Sequence, residues 1–188
     1  MVRHAAPGRQ DADPTLPTLG LPPDGLARLA PRLQQGVRVR VPAGCAVSEF
    51  LVTALGIDPE YVRTRITTVF LDGAVVDDLE AARLHDGSCL ALSAAMPGLV
   101  GATLRKGGYY AAMRSAITLG AQEAGADPEG SVALVQVKLF NLLIEELGPA
   151  LLAHGVGLAP AEAVALLGEQ AAWLPSGVPE VWLRVVAG

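Results

Sequence analysis

Cysteine is nearly absent from this 188-residue chain: Cys45 and Cys89 stand far apart and form no CxxC. That excludes a zinc site of recognisable spacing and a disulfide scaffold. Histidine is as sparse, and His4, His85 and His154 have no neighbour at ligand spacing, so no metal is expected. No serine sits in a G-x-S-x-G setting, and neither a P-loop nor a dinucleotide fingerprint occurs. No catalytic residue and no cofactor follow from the sequence. Aromatics make up only 4% of residues, so the core must be built from Leu, Val, Ile and Ala. A basic surplus is missing as well: the net charge is −5, which argues against a general nucleic-acid partner. No apolar stretch free of charges and turn residues reaches membrane-spanning length, and no signal peptide opens the chain. The expectation is a soluble, cytoplasmic protein with no membrane partner.

What is present is pattern. Met1 to Pro23 is proline-rich and aperiodic, which predicts a flexible leader with structure beginning near Asp24. Val37-Arg38-Val39-Arg40-Val41 alternates with period two, the mark of a half-buried strand showing two arginines outward. Leu29 to Leu33 offers itself as the partner strand, although Pro31 confines it to an edge. Val47, Phe50, Leu51, Ala54 and Leu55 form the apolar stripe of a helix closed by Gly56. Ile66 to Leu71, Asp72-Gly73 and Ala74 to Asp77 read as a hairpin, and Asp86-Gly87 as a turn into a last short strand, Cys89 to Ser93.

Three stretches, VRVRVPAGCAVSEFLVTALG, VFLDGAVVDD and LHDGSCLALSAAMPG, follow one another in that order. Together they resemble the sulfur-carrier branch of the ubiquitin-like superfamily. That branch includes the small subunit of molybdopterin synthase and the thiamine-biosynthesis sulfur carrier. The family patterns are Gly-x-Thr/Ala-Val-x-x-Leu/Phe-Leu, Val-x-Val-Asn-Gly-x-x-Val and Leu-x-Asp-Gly-Asp-x-Val-x-Leu. The resemblance covers about residues 29–98. It implies an α+β fold: a β-grasp domain over 24–108, followed by a mainly helical or small α/β region over 109–188.

The departure from the family bears on activity. Carriers of this kind end in a flexible Gly-Gly whose terminal carboxylate is adenylated and converted to a thiocarboxylate. Here the corresponding place reads Ala94-Ala95-Met96-Pro97-Gly98 and the chain continues. An internal amide offers no carboxylate to activate. Further on, Thr103-Leu104-Arg105-Lys106-Gly107-Gly108 resembles the Leu-Arg-x-x-Gly-Gly ending of ubiquitin-like modifiers, and cleavage after Gly108 would free such a terminus. The plainer reading is a Gly-Gly turn.

In the second half, Ser131 to Leu147 is apolar around its whole circumference. Length favours a helix, at least from Lys138, capped by Ser131 and stopped by Gly148-Pro149. A strand running into a helix fits the same residues. Another helical turn starts at Pro149 and runs to His154. Pro160 and Glu162 open a further helix, and Pro179 to Val186 alternates like a final strand.

Among candidate sites, Cys45 lies beside Gly44 before a helix, where backbone N–H groups lower a thiol pKa. The glycine pairs Gly98-Leu99-Val100-Gly101 and Gly107-Gly108, with Arg105 and Lys106 nearby, suit an anion-binding loop, and Asp72, Asp77, Asp78, Glu80 and Asp86 an acidic rim. The function expected is a non-catalytic ubiquitin-like module with an unidentified protein partner. Arg38, Arg40, Arg105 and Lys106 are its expected contacts. The alternatives are a sulfur-carrier-like precursor cleaved after Gly108, and an enzyme with a pocket between the halves. The oligomeric state does not follow from the sequence.

Overall fold

The computed structural model describes residues 16–94, 98–108 and 130–187. Within them the protein is α+β, one mixed eight-stranded sheet with its helices. The first elements are β1 (Thr18–Leu21), α1 (Gly25–Gln35), β2 (Val37–Pro42) and α2 (Val47–Glu49), which runs into a π-helical turn, Phe50–Ala54. Then come α3 (Pro59–Thr64), β3 (Thr68–Leu71), β4 (Ala74–Val75), β5 (Cys89–Ser93) and α4 (Gly98–Leu104). The chain ends with β6 (Val132–Phe140), α5 (Leu143–His154), β7 (Val156–Leu158), α6 (Pro160–Leu167) and β8 (Val181–Ala187).

Alternation builds the sheet. β2 buries Val37, Val39 and Val41 and turns Arg38 and Arg40 outward, because successive side chains on a strand take opposite faces. β6 buries Ala133, Val135, Val137 and Leu139 in the same way. The strand order is β1-β8-β7-β2-β6-β5-β3-β4. β5 with β6 and β1 with β8 run parallel, and the other neighbours antiparallel. Strands from both sides of Gly108 therefore interleave, and their inward residues join one hydrophobic cluster.

The helices cover one face. Leu29 and Leu33 of α1 and Leu143, Leu147, Leu151 and Leu152 of α5 are buried against that cluster. Each such leucine contributes about 1.5–3 kcal/mol relative to exposure. The hairpin turn uses Asp72 and Gly73 at φ of 52° and 83°, the left-handed pair that a two-residue connection needs.

Four expectations need correction. Leu29 to Leu33 is not the partner strand of β2 but part of α1, because Leu26, Leu29, Ala30 and Leu33 make a helical stripe that outweighs Pro31. The partners of β2 are β6 and β7. The leader does not reach Pro23, since Thr18–Leu21 pairs in register with β8. Residues 132–140 form a strand and not the favoured helix, with Ser131 accepting the Ala43 N–H instead of capping. The helix starts at Leu143, so the strand-into-helix alternative holds. Gly148-Pro149 does not stop that helix. A side chain at Gly148 would come within 2.9 Å of Leu26 and 3.2 Å of Leu33, so the glycine marks where α1 and α5 approach closely. Burial of Leu147, Leu151 and Leu152 on either side of it carries the helix through Pro149.

Candidate functional site: the open face of the sheet

Helices cover the inner face, and the outward residues of the strands make a second surface with two distinct halves. The half formed by β2, β7 and β8 is closed by its own contacts. Arg38 Nη1 lies 3.5 Å from Glu180 Oε2. That carboxylate fits over Gly157, where a Cβ would fall 2.6 Å from Glu180 Oε1. The Arg40 guanidinium stacks 4.2 Å from the Trp182 ring centroid. Arg184 Nε donates to the Ala153 carbonyl at 2.8 Å. The outward arginines thus sit where the alternation placed them, each already engaged by the chain itself.

The half formed by β3, β5 and the end of β6 is different. The registers set Phe70 opposite Ala91, Ala91 opposite Lys138, and Ser93 opposite Phe140. Together with Cys89, Gly73 and Asn141 these residues line a cavity of about 450 Å³, the size of a small-ligand pocket. Phe140 is 37% exposed. Lys138 is the one charged lining residue and makes no ion pair or hydrogen bond among the described residues. At the far end Asn141, at φ 54°, donates to Ser93 Oγ at 3.0 Å. Thr68 faces Ser93 across the ladder, and its buried hydroxyl has no hydrogen-bond partner among the described residues.

The other candidate residues are spent on structure. Lys106 is half-buried, and its Nζ donates to the Val62 carbonyl at 3.0 Å. Burial lowers its ammonium pKa. Arg105 is exposed on the turn that follows α4. Gly107 N–H donates to Asp77 Oδ1 at 2.9 Å, and Gly108 N–H to the Arg105 carbonyl at 3.0 Å. The Asp77 carboxylate, from the segment after β4, therefore fills the place of an anion. A protease would have to strip both bonds to reach the peptide after Gly108.

The acidic rim also holds backbone. Asp72 accepts the Cys89 N–H at 2.7 Å, Asp78 those of Glu80 and Ala81, and Asp86 that of Leu134. No group of three His, Cys, Asp or Glu side chains among the described residues is arranged to hold a metal. His4 lies outside the described residues. His154 ends α5, and its Nε2 contacts the Arg40 carbonyl at 3.0 Å.

Cys45 is buried and its thiol is pushed up to about 11, first by that burial and then by Glu49, opposite to the activation expected before a helix. The recess beside it encloses only about 20 Å³ and has no histidine in its lining, so no thiol–imidazole pair forms there. A larger recess of about 540 Å³ lies by Arg40, Pro42, Ser131 and His154, and neither a carboxylate nor a thiol lines it.

The site residue that pattern reading missed is Lys138. Its signal was the outward position in a nine-residue strand, hidden while that segment read as helix. No family model matches the chain, and no curated protein or solved structure matches it. No helix among the described residues is long and apolar enough to cross a membrane.

Proposed function

We propose that the chain is a β-grasp protein-interaction module whose open sheet face receives a protein partner. Support for the fold lies in the run β2-β6-β5-β3-β4, with a central parallel pair and the Val47–Ala54 helix following β2. In this reading the strand that Leu29 to Leu33 was expected to supply is provided by β6. The observation that carries the function is the half-face at Phe140 and Lys138, which no helix among the described residues covers. It sets aromatic and aliphatic surface around a cation that has no partner among the described residues, a combination suited to a binding surface. The centre of contact therefore moves from Arg38 and Arg40, which Glu180 and Trp182 engage, to β5 and β6.

The test is co-purification from the native host, comparing the wild type with Lys138→Glu/Phe140→Asp and with Arg38→Glu/Arg40→Glu. Loss of the same partner band in the first variant alone is the expected result. Loss in the second alone would put the contact on β2, and no retained partner in any form would end the interaction reading.

A further inference from the structure

We infer that the cavity over β3, β5 and β6 is a binding site for a small organic carboxylate carrying an aryl or alkyl body. It rests on the same half-face as the interaction reading and gives that face a small ligand, so saturable NMR shifts without a retained protein, or a retained protein without such shifts, tell the two readings apart. The floor is apolar and shaped by small residues: Ala91 and Cys89 of β5 leave a trough between Phe70 on one side and Phe140 on the other. A flat or linear hydrocarbon body lies against such walls and gains by leaving water.

Charge then selects the head group. None of the lining residues is acidic, and Lys138 is the one cation among them. Asp72, the nearest hairpin carboxylate, is taken up by the Cys89 N–H and the Ser88 hydroxyl. An ammonium on a half-apolar wall binds an anion more strongly than it would in open water, since the local dielectric is lower. At the other end Asn141 Nδ2 donates to Ser93 Oγ, and the Ser93 hydroxyl donates in turn to the Ala94 carbonyl. An organic cation finds no counter-charge here, and a fully apolar ligand leaves Lys138 unpaired.

The experiment uses the full chain and three probes of one shape: 4-phenylbutyrate, 4-phenylbutanol and 4-phenylbutylamine. Amide chemical shifts are followed in two-dimensional NMR. The expected result is saturable shifts at Ala91, Lys138 and Phe140, with the carboxylate binding about ten-fold or more tighter than the alcohol, the worth of one charge-assisted contact. Lys138→Met keeps the length of the side chain and removes its charge. It should bring the carboxylate down to the alcohol's affinity and leave the alcohol unchanged, whereas Lys138→Arg should retain the preference.

A second readout uses Cys89, which is partly exposed in the trough while Cys45 is buried. Bound carboxylate should slow alkylation of Cys89 by iodoacetamide in the wild type and not in Lys138→Met. Shifts scattered over the surface without saturation would overturn the proposal. So would equal affinity for acid and amine, or a preference that survives Lys138→Met.

Discussion

The two halves of the open face come from the same period-two alternation, yet they dispose of their charges differently. On β2 and β8, Arg38 meets Glu180 and Arg40 lies over Trp182. On β5 and β6, Lys138 meets no opposite charge among the described residues and borders Phe140 and Ala91. The lesson is that an outward position does not make a cation available. Availability depends on what the neighbouring strand supplies, and the strands beside β2 come from the far end of the chain. Among the described residues the first half is a solvent surface engaged by its own contacts, and the second has no such contacts for its cation.

β6 joins the two halves by pairing with both β2 and β5, so the hardest blow to the comparison falls there. Val137 is fully buried and pairs with Val37 on one side and Leu90 on the other. Val137→Asp would bury a carboxylate without a partner, at a cost of about 3–5 kcal/mol or more. In urea, Trp182 fluorescence and Cys89 alkylation should then report one shared transition at much lower denaturant. Exposure of Cys89 while the signal from Trp182 persists would show two independent units instead.

The closed half can be broken alone. A Cβ at Gly157 would stand 2.5 Å from Glu180 Cδ, so Gly157→Val must eject that carboxylate and leave Arg38 without it. Overpacking of this kind costs about 1–3 kcal/mol. The loss should appear in thermal denaturation, and adding Glu180→Ala should recover most of it. If the two changes simply added, Glu180 would not be what the new side chain strikes.

Legibility in the sequence followed the range of the interactions. The β2 alternation, the Asp72-Gly73 hairpin and the strand Cys89–Ser93 were readable because neighbours within a few residues decide them. The helical stripe Leu26, Leu29, Leu33 was also present, and Pro31 obscured it. β6 is ambiguous in sequence because Ala133 and Leu134 blur the alternation, and only pairing with β2 and β5 settles its conformation. The site was less legible still. Glu180 and Trp182 lie more than a hundred residues from their arginines, so nothing local could say that Arg38 and Arg40 were engaged. The outward position of Lys138 depends on the pairing of its strand with β2 and β5.

A pair on the helical side tests whether closed charges stabilise this fold at all. Arg65 makes a two-pronged contact with Glu146, its Nε 2.9 Å from Oε2, and the Tyr61 hydroxyl donates to the same carboxylate. The Arg65 and Tyr61 hydrogen bonds hold Glu146 down at about 2, against an ordinary 4.5. A depressed folded pKa contributes stability that is complete above the ordinary value. It is lost as pH falls from there towards 2, because the unfolded chain takes up the proton first. Glu146→Gln should therefore flatten the fall in melting temperature over that window and leave its slope near neutrality unchanged. Since both side chains meet solvent, the effect should be smaller than that of Gly157→Val and should shrink further in high salt.

The smallest effect separates the halves most cleanly. Arg40→Ala removes the cation over Trp182 and should cost about 0.5–1 kcal/mol, seen as a small drop in denaturation midpoint with a change in Trp182 fluorescence. Lys138→Met removes a cation with no partner among the described residues, and should change stability by less than about 0.5 kcal/mol in either direction. Binding should follow the reverse order. Arg40→Ala leaves carboxylate affinity where it was, because that charge faces Trp182 on another strand, whereas Lys138→Met abolishes the preference. A lysine that contributes to binding and not to folding is what an open site requires, and an arginine with the opposite profile is what a closed one requires. If both substitutions altered both properties, the open face would act as a single electrostatic surface, and dividing it at β6 would be wrong.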